Sequence, residues 1–384
     1  MIYKAHLAKF GSSATPSDKS ILIMQSKHYR KLQVGVIAQL FLLISWGCSD
    51  SRSFFVSEVN EVAEPEEVID LDLEKVETDN AYSHFFAVYD SLLISCRPNS
   101  NGDIFYVTDL NNDELLGSFL KRGEGPTTYQ GLNPITRIER KNGDLVTLTY
   151  EPVKRELIEW NITKTLESGR DSVIRLGNYG NSNDLGLTYS GIYMISDSTY
   201  LGYTPSFYDK KVYLHPIFSV LDDRGNSPAK NFSFVREDFS IEEAAEATKS
   251  IFSGVWSLSP DNTKIVHVMN CLEQINIIDL DSCGVRSYRV DGSPDESLFK
   301  TDMKKADYQY HHVVCNDNAI YTLYHGDDWD DFSGCMWLHE YDWNGNFKKK
   351  YRLPLPIMCL WLDPSSDTLY GYYYPEDAIY RLKI

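Results

Sequence analysis

Three short stretches of the chain gather residue types that could do chemistry. Lys121-Arg122-Gly123-Glu124-Gly125-Pro126 joins two cations to a glycine-rich bend. Successive backbone N–H groups in such a bend can cradle an anion. The structural alternative is a crossover turn in which Gly123 and Gly125 need positive φ. His325-Gly326-Asp327-Asp328-Trp329-Asp330-Asp331 puts four carboxylates in one loop. Asp327, Asp328, Asp330 and Asp331 are hard oxygen donors of the kind calcium takes, although their spacing is not that of an EF-hand. A solvated acidic loop is the plainer reading, and calcium is the one cofactor the sequence raises. His311 and His312 are adjacent on an expected strand, so they point to opposite sides unless the strand bulges. His312 is the candidate for a central channel, the alternative being a hydrogen-bonded structural histidine. Trp329, with Trp337, Trp361, Tyr370 and Tyr372–374, could offer a platform to a sugar or peptide, or could simply pack between layers. No Gly-x-Ser-x-Gly elbow, His-Glu-x-x-His, P-loop or sialidase-type Asp box occurs.

The elements that must position these residues are written as a repeat. Six segments begin with Asp or Asn and a turn residue, then run into β-branched, leucine or tyrosine residues. They start at Asp90, Asn142, Asp197, Asp261, Asp317 and Asp367, a spacing of 50–64 residues. Asx side chains suit such turns because they bond nearby backbone and tolerate left-handed geometry. Each run is flanked by an apolar strand before it, at 85–88, 135–139, 191–195, 255–258, 312–314 and 359–362. A third strand follows it, and in most units a fourth. The pattern predicts an all-β fold: a six-bladed β-propeller of four-stranded antiparallel blades. Seven blades is the rival count. The last unit has only three strands, and an orphan strand at 67–73 precedes the first. That orphan is expected to supply the outer strand of the last blade and so close the ring. Residues 241–249 and 296–305 are helix-prone connectors.

Two phrases carry a family resemblance. The Gly123-x-Gly125-Pro126 turn follows the outer strand of the first unit. Leu258-Ser259-Pro260-Asp261-Asn262 is similar to the Ser-Pro-Asp-Gly turn of TolB-type blades. Together they resemble the TolB-like six-bladed propeller lipoproteins of Bacteroidota, a family of unknown function, over residues 68–384. Many members follow the Gly-x-Gly-Pro turn with a small residue, Glu and Phe. Thr127-Thr128-Tyr129 stand here instead, so any role of that Glu is not carried over.

The N-terminal region gives an address. Lys27, His28, Arg30 and Lys31 precede an apolar run at 34–46, which ends in Gly47-Cys48. A basic end, a short apolar core and a small residue before cysteine make a lipoprotein signal. The run is shorter than the roughly 20 residues a transmembrane helix needs. The division expected is therefore 1–23 as a miscalled start or extension, 24–47 as signal peptide, 48–66 as an acidic flexible tether and 67–384 as the propeller. Lipidation at Cys48, with Ser49 rather than Asp after it, points to the outer membrane, facing the periplasm or the exterior. Cleavage before Cys48 leaves 31 basic and 54 acidic residues, a net charge of −23. That disfavours nucleic acid and anionic lipid as partners. Six cysteines remain, none in a Cys-x-x-Cys pair, and Cys271–Cys283 is the pair most easily bridged within one sheet.

Anchor, propeller and the absent catalytic motifs together favour a monomeric, non-enzymatic binding or scaffolding lipoprotein. Its propeller face would meet an envelope protein or glycan. The alternative is a propeller enzyme of glycan lyase, hydrolase or lactonase type, with a central-channel site that could hold a metal. That would require acidic or histidine side chains from several blades to converge on the channel.

Overall fold

Alternating Asx turns and β-branched runs build six sheets arranged in a ring. In the computed structural model the described residues are 53–79, 85–97, 101–179, 189–196, 198–204, 216–221, 228–236, 252–295, 307–327 and 334–384. Blade 1 comprises Phe86–Tyr89, Leu92–Cys96, Asp103–Asp109 and Glu114–Lys121. Blade 2 comprises Ile138–Lys141, Asp144–Glu151, Glu156–Asn161 and Val173–Asn178. Blade 3 comprises Gly191–Ser196, Thr199–Thr204, Ile217–Leu221 and Pro228–Phe232. Blade 4 comprises Gly254–Leu258, Lys264–Met269, Gln274–Asp279 and Val285–Val290. Blade 5 comprises Tyr308–Cys315, Ile320–Asp327, Cys335–Tyr341 and Phe347–Ile357. Blade 6 takes Cys359–Leu362, Leu369–Tyr373 and Ala378–Lys383 from the C-terminus and one strand from the N-terminus. The fold is the six-bladed propeller that the repeat predicts.

Second strands are sandwiched between neighbouring blades, so they are apolar on both faces rather than alternating. Ile265, Val266, Val268 and Met269 in blade 4 are all fully buried. Four of the turns before these strands use the left-handed geometry that Asx tolerates. Asp90, Asn142, Asn262 and Asp367 have φ of 55°, 54°, 59° and 55°. At Asp317 the device differs: Asn316 Oδ1 accepts from the N–H groups of Asn318 and Ala319.

Three N-terminal strands lie along the outer edges of the last three blades, and one of them closes the ring. β3 (Asp72–Lys75) is antiparallel to Ala378–Lys383, with Leu73 opposite Leu382. β2 (Val68–Asp70) runs parallel to the outer strand of blade 5, with Ile69 opposite Tyr351. The single orphan strand expected at 67–73 is thus two. The chain crosses from one blade edge to the next at Leu71, which is buried between blades 5 and 6 and whose N–H meets Arg352 O at 3.0 Å. Trp361 Nε1 donates to Val88 O at 2.7 Å, and the Asp90 N–H meets Asp363 Oδ2 and Ser365 Oγ, which joins blade 6 to blade 1.

Within the stretch expected as a tether, residues from Phe54 onward belong to the compact unit Phe54–Ile384. Phe54 and Phe55 are buried against Phe234 and Phe252, with ring centroids 6.4 Å apart in each of the close pairs. β1 (Val59–Val62) then runs parallel to the outer strand of blade 4. The reason is local: two adjacent phenylalanines supply about 1.5–3 kcal/mol each on burial, which outweighs the polar composition around them. Blade 2 holds one element the repeat did not announce, the helix α1 (Ile162–Ser168) between its third and fourth strands. Asn161 caps it by accepting from Lys164 N, and Gly169 ends it at φ 62°. The helix-prone stretches 241–249 and 296–305 lie outside the described residues. The six cysteines after Cys48 form no disulfide. Cys271 and Cys283 flank opposite ends of Gln274–Asp279, so a whole strand length separates them and no bridge forms.

Candidate functional site

Neighbouring strands within a blade are antiparallel, so the links between first and second strands leave on one face of the ring, the turn face. Links between second and third strands, and the crossovers between blades, leave on the other, the crossover face. The ring axis between them is a cavity of about 380 Å³. Each blade contributes an apolar residue to its wall from its innermost strand or the chain leading into it. These are Phe86, Ile135, Met194, Val255, Val313 and Leu360 in blade order. Aromatic rings thicken one side. Trp256 meets Tyr193 edge-to-face at 4.6 Å and Tyr203 at 5.3 Å. Gly254 starts that strand because a Cβ there would fall 2.0 Å from Val268 O.

The charged groups in the wall are engaged with one another. Arg137 reaches from blade 2 to the turn of blade 4, donating from Nη1 to Asn262 Oδ1 and from Nη2 to Pro260 O at 3.0 Å. Its Nε lies 3.7 Å from Glu139 Oε2. Neutral polar groups are tied similarly: Asn133 Nδ2 donates to Ser190 O at 2.6 Å, and Thr147 Oγ1 to Arg137 O at 2.6 Å.

Burial keeps the remaining titratable groups uncharged. It pushes the His312 imidazole down to about 3, with neighbouring His311 adding to the shift. It pushes Tyr193 up to about 12. Beside the channel, burial also takes the Cys315 thiol up to about 12, against the opposing pull of Arg137. That thiol lies 3.3 Å from Leu258 O, a link between blades 5 and 4 rather than a nucleophile. No described residue bonds His312 Nδ1, which is buried.

The structure distributes the sequence-derived candidates widely. His312 lines the channel and His311 does not, although the strand bulges between Tyr310 and His312. Lys121 ends the outer strand of blade 1, and the bend after it is folded back on itself. Arg122 N meets Gly102 O and Gly123 N meets Tyr129 O, both at 2.9 Å. The Gly125 carbonyl takes Thr128 Oγ1 at 3.1 Å and Lys154 Nζ at 3.2 Å, and Arg175 reaches Pro126 O. Glu124 is exposed. Neither Gly123 nor Gly125 has positive φ, contrary to expectation. Gly123 is required instead by close approach, since a Cβ would lie 2.9 Å from Thr128 Oγ1. Asp327 ends the second strand of blade 5, while Asp328, Trp329, Asp330, Asp331 and Cys48 lie outside the described residues. Among the described residues, no group of three or more His, Cys, Asp or Glu side chains is placed to hold a metal. Of the aromatic run, Trp361, Tyr370 and Tyr372 are buried between blades and Tyr374 is exposed.

No family model matches the chain, and no curated protein matches it. Solved structures do. A Bacteroides vulgatus protein of the DUF4221 family aligns at TM-score 0.54 with 13% identity, over 85% of this chain and 99% of its own. A Bacteroides fragilis protein described as exported aligns at 0.52 with 12% identity, over the same shares of the two chains. At such identities the likeness is one of fold. A luciferin-regenerating enzyme aligns at only 0.45 with 9% identity, over 82% of this chain and 95% of its own, and carries no argument.

Sequence reasoning missed a second polar cluster, buried between blades 4 and 5. Burial pushes the Glu273 carboxyl up to about 7; Ser293 Oγ donates to it at 2.6 Å, and His339 Nδ1 lies 3.8 Å away. His339 stacks on Tyr324 at 4.5 Å, and the Tyr310 and Tyr341 hydroxyls meet at 2.6 Å. The only signal was polar residues at positions where the strand pattern calls for apolar ones.

Proposed function

We propose that this chain is a lipid-anchored, extracytoplasmic propeller that binds a protein or glycan of the cell envelope and leaves it chemically unchanged. The observation that supports this reading is the state of the axial channel. Its cation and carboxylate are engaged with each other, and His312 and Tyr193 are held neutral by burial. General acid–base catalysis needs a positioned group with a pKa near the working pH, and the described channel wall offers none. The anchor rests on the basic cluster, apolar run and Gly47-Cys48, and the likeness to an exported Bacteroides protein accords with it.

Two measurements test the reading. Metabolic labelling with a fatty acid should mark the chain, and Cys48→Ala should abolish the label and release the protein from membranes. Labelling that survives Cys48→Ala would refute the anchor. Envelope glycans retained by the purified chain should be recovered with unchanged mass. Gain of one water or an eliminated product would replace binding with hydrolysis or lyase chemistry.

A further inference from the structure

We propose that the axial channel is a binding site for one uncharged, largely apolar small molecule, held by the aromatic wall and by a hydrogen bond to the His312 imidazole. Three observations converge. The first is size: about 380 Å³ falls in the range of small-molecule pockets, roughly 300–1,000 Å³. The second is the wall, in which six blades each present an apolar residue and Trp256 and Tyr193 present ring surface. The third is the imidazole of His312, which lines the channel and is held neutral there by burial. A neutral imidazole keeps one acceptor nitrogen, and an N–H or O–H on an otherwise apolar ligand would match it.

The same wall selects against charge. An ionised ligand would be desolvated in the channel with no free counter-ion, because Arg137 is committed to Glu139, Asn262 and Pro260. This site is independent of the partner-binding reading, since a dye assay needs neither the anchor nor the envelope partner.

The test uses two probes with one skeleton. N-phenyl-1-naphthylamine is neutral and carries one N–H; 1-anilinonaphthalene-8-sulfonate adds a sulfonate. The purified chain should bind one molecule of the neutral dye, and the anionic dye at least about tenfold more weakly. His312→Phe keeps a ring but removes the acceptor, and should weaken the neutral dye by about fivefold. Val255→Trp should block the channel and abolish binding, whereas Leu116→Trp on the exposed edge of blade 1 should leave it unchanged. Equal affinity for both dyes, more than one site per chain, or full binding in Val255→Trp would overturn the proposal. Should Val255→Trp fail to fold, the loss in His312→Phe and the stoichiometry decide in its place.

Discussion

His267 should make the protein acid-sensitive by an amount that the structure fixes. The residue sits on the second strand of blade 4 with no exposed surface. Its ring packs on Phe234 at 4.4 Å, its Nδ1 is 3.5 Å from Asn276 Nδ2, and its Nε2 has no partner among the described residues. Burial lowers its pKa from 6.5 to about 3. A base with a depressed folded pKa contributes stability that is fully present above the unfolded value and is lost as pH falls toward the folded one. At pH 5 the folded imidazole is still neutral while the unfolded one is mostly protonated. The loss between pH 8 and pH 5 is therefore set by the unfolded value, and comes to about 2 kcal/mol.

His267→Phe keeps a ring against Phe234 and removes the titration. Urea unfolding followed by tryptophan fluorescence, at pH 8 and pH 5, gives the two free energies for each protein. The variant should lose about 2 kcal/mol less than the wild type across that interval. Absolute stability does not enter, so strain from the larger ring does not blur the result. Equal losses in both proteins would mean that the His267 pKa is ordinary and that the strand admits water.

Glu273 acts with the opposite sign. A carboxyl whose folded pKa is raised to about 7 contributes stability below its unfolded value that is lost as pH rises through about 7. Glu273→Gln should therefore spare the protein a loss on the order of 2 kcal/mol between pH 5 and pH 8, read by the same unfolding assay; no change would place the carboxyl in water. Phe55→Ala should destabilise by about 3–5 kcal/mol and open residues 56–66 to protease, a cut that the wild type should resist. Asn262→Ala puts a side chain with no local hydrogen bond at φ 59° and removes an acceptor of Arg137. A loss of about 1–2 kcal/mol is expected, and an unchanged urea midpoint would show that the turn relaxes freely.

The blades were legible because their information is local. Each Asx turn and the β-branched run after it specify a hairpin without reference to the rest of the chain, and 359–362 emerges with the bounds the pattern gives. The N-terminal strap formed by β1, β2 and β3 was half legible. Residues 67–73 read as a strand, but partners nearly three hundred residues away decide that they form two, and Phe54-Phe55 looked like chance apolar residues in an acidic stretch. The channel was least legible. The Arg137–Glu139 pair, Tyr193 and Trp256 lie far apart in sequence, and only closure of the ring brings them to one axis. His312 was found because a paired histidine on an inner strand is conspicuous. Glu273, His267 and His339 carry no such mark, since burial, which the sequence does not display, is what perturbs them.

The strap also dictates when the protein can exist. Asn60 waits for Tyr288, Ile69 for Tyr351 and Leu73 for Leu382. Residues made earlier are thus completed by residues made much later, and loops of this length must close before their contacts reward the closure. Blades 1 to 3 can assemble early from local hairpins, whereas β1, β2 and β3 stay unpaired strand edges until the C-terminal blades arrive. Folding should therefore show a slow final step, reported by the Trp361–Val88 seam. A chain truncated before Ala378 would lose more than one strand: it would lose the partner of β3 and leave the ring unlatched.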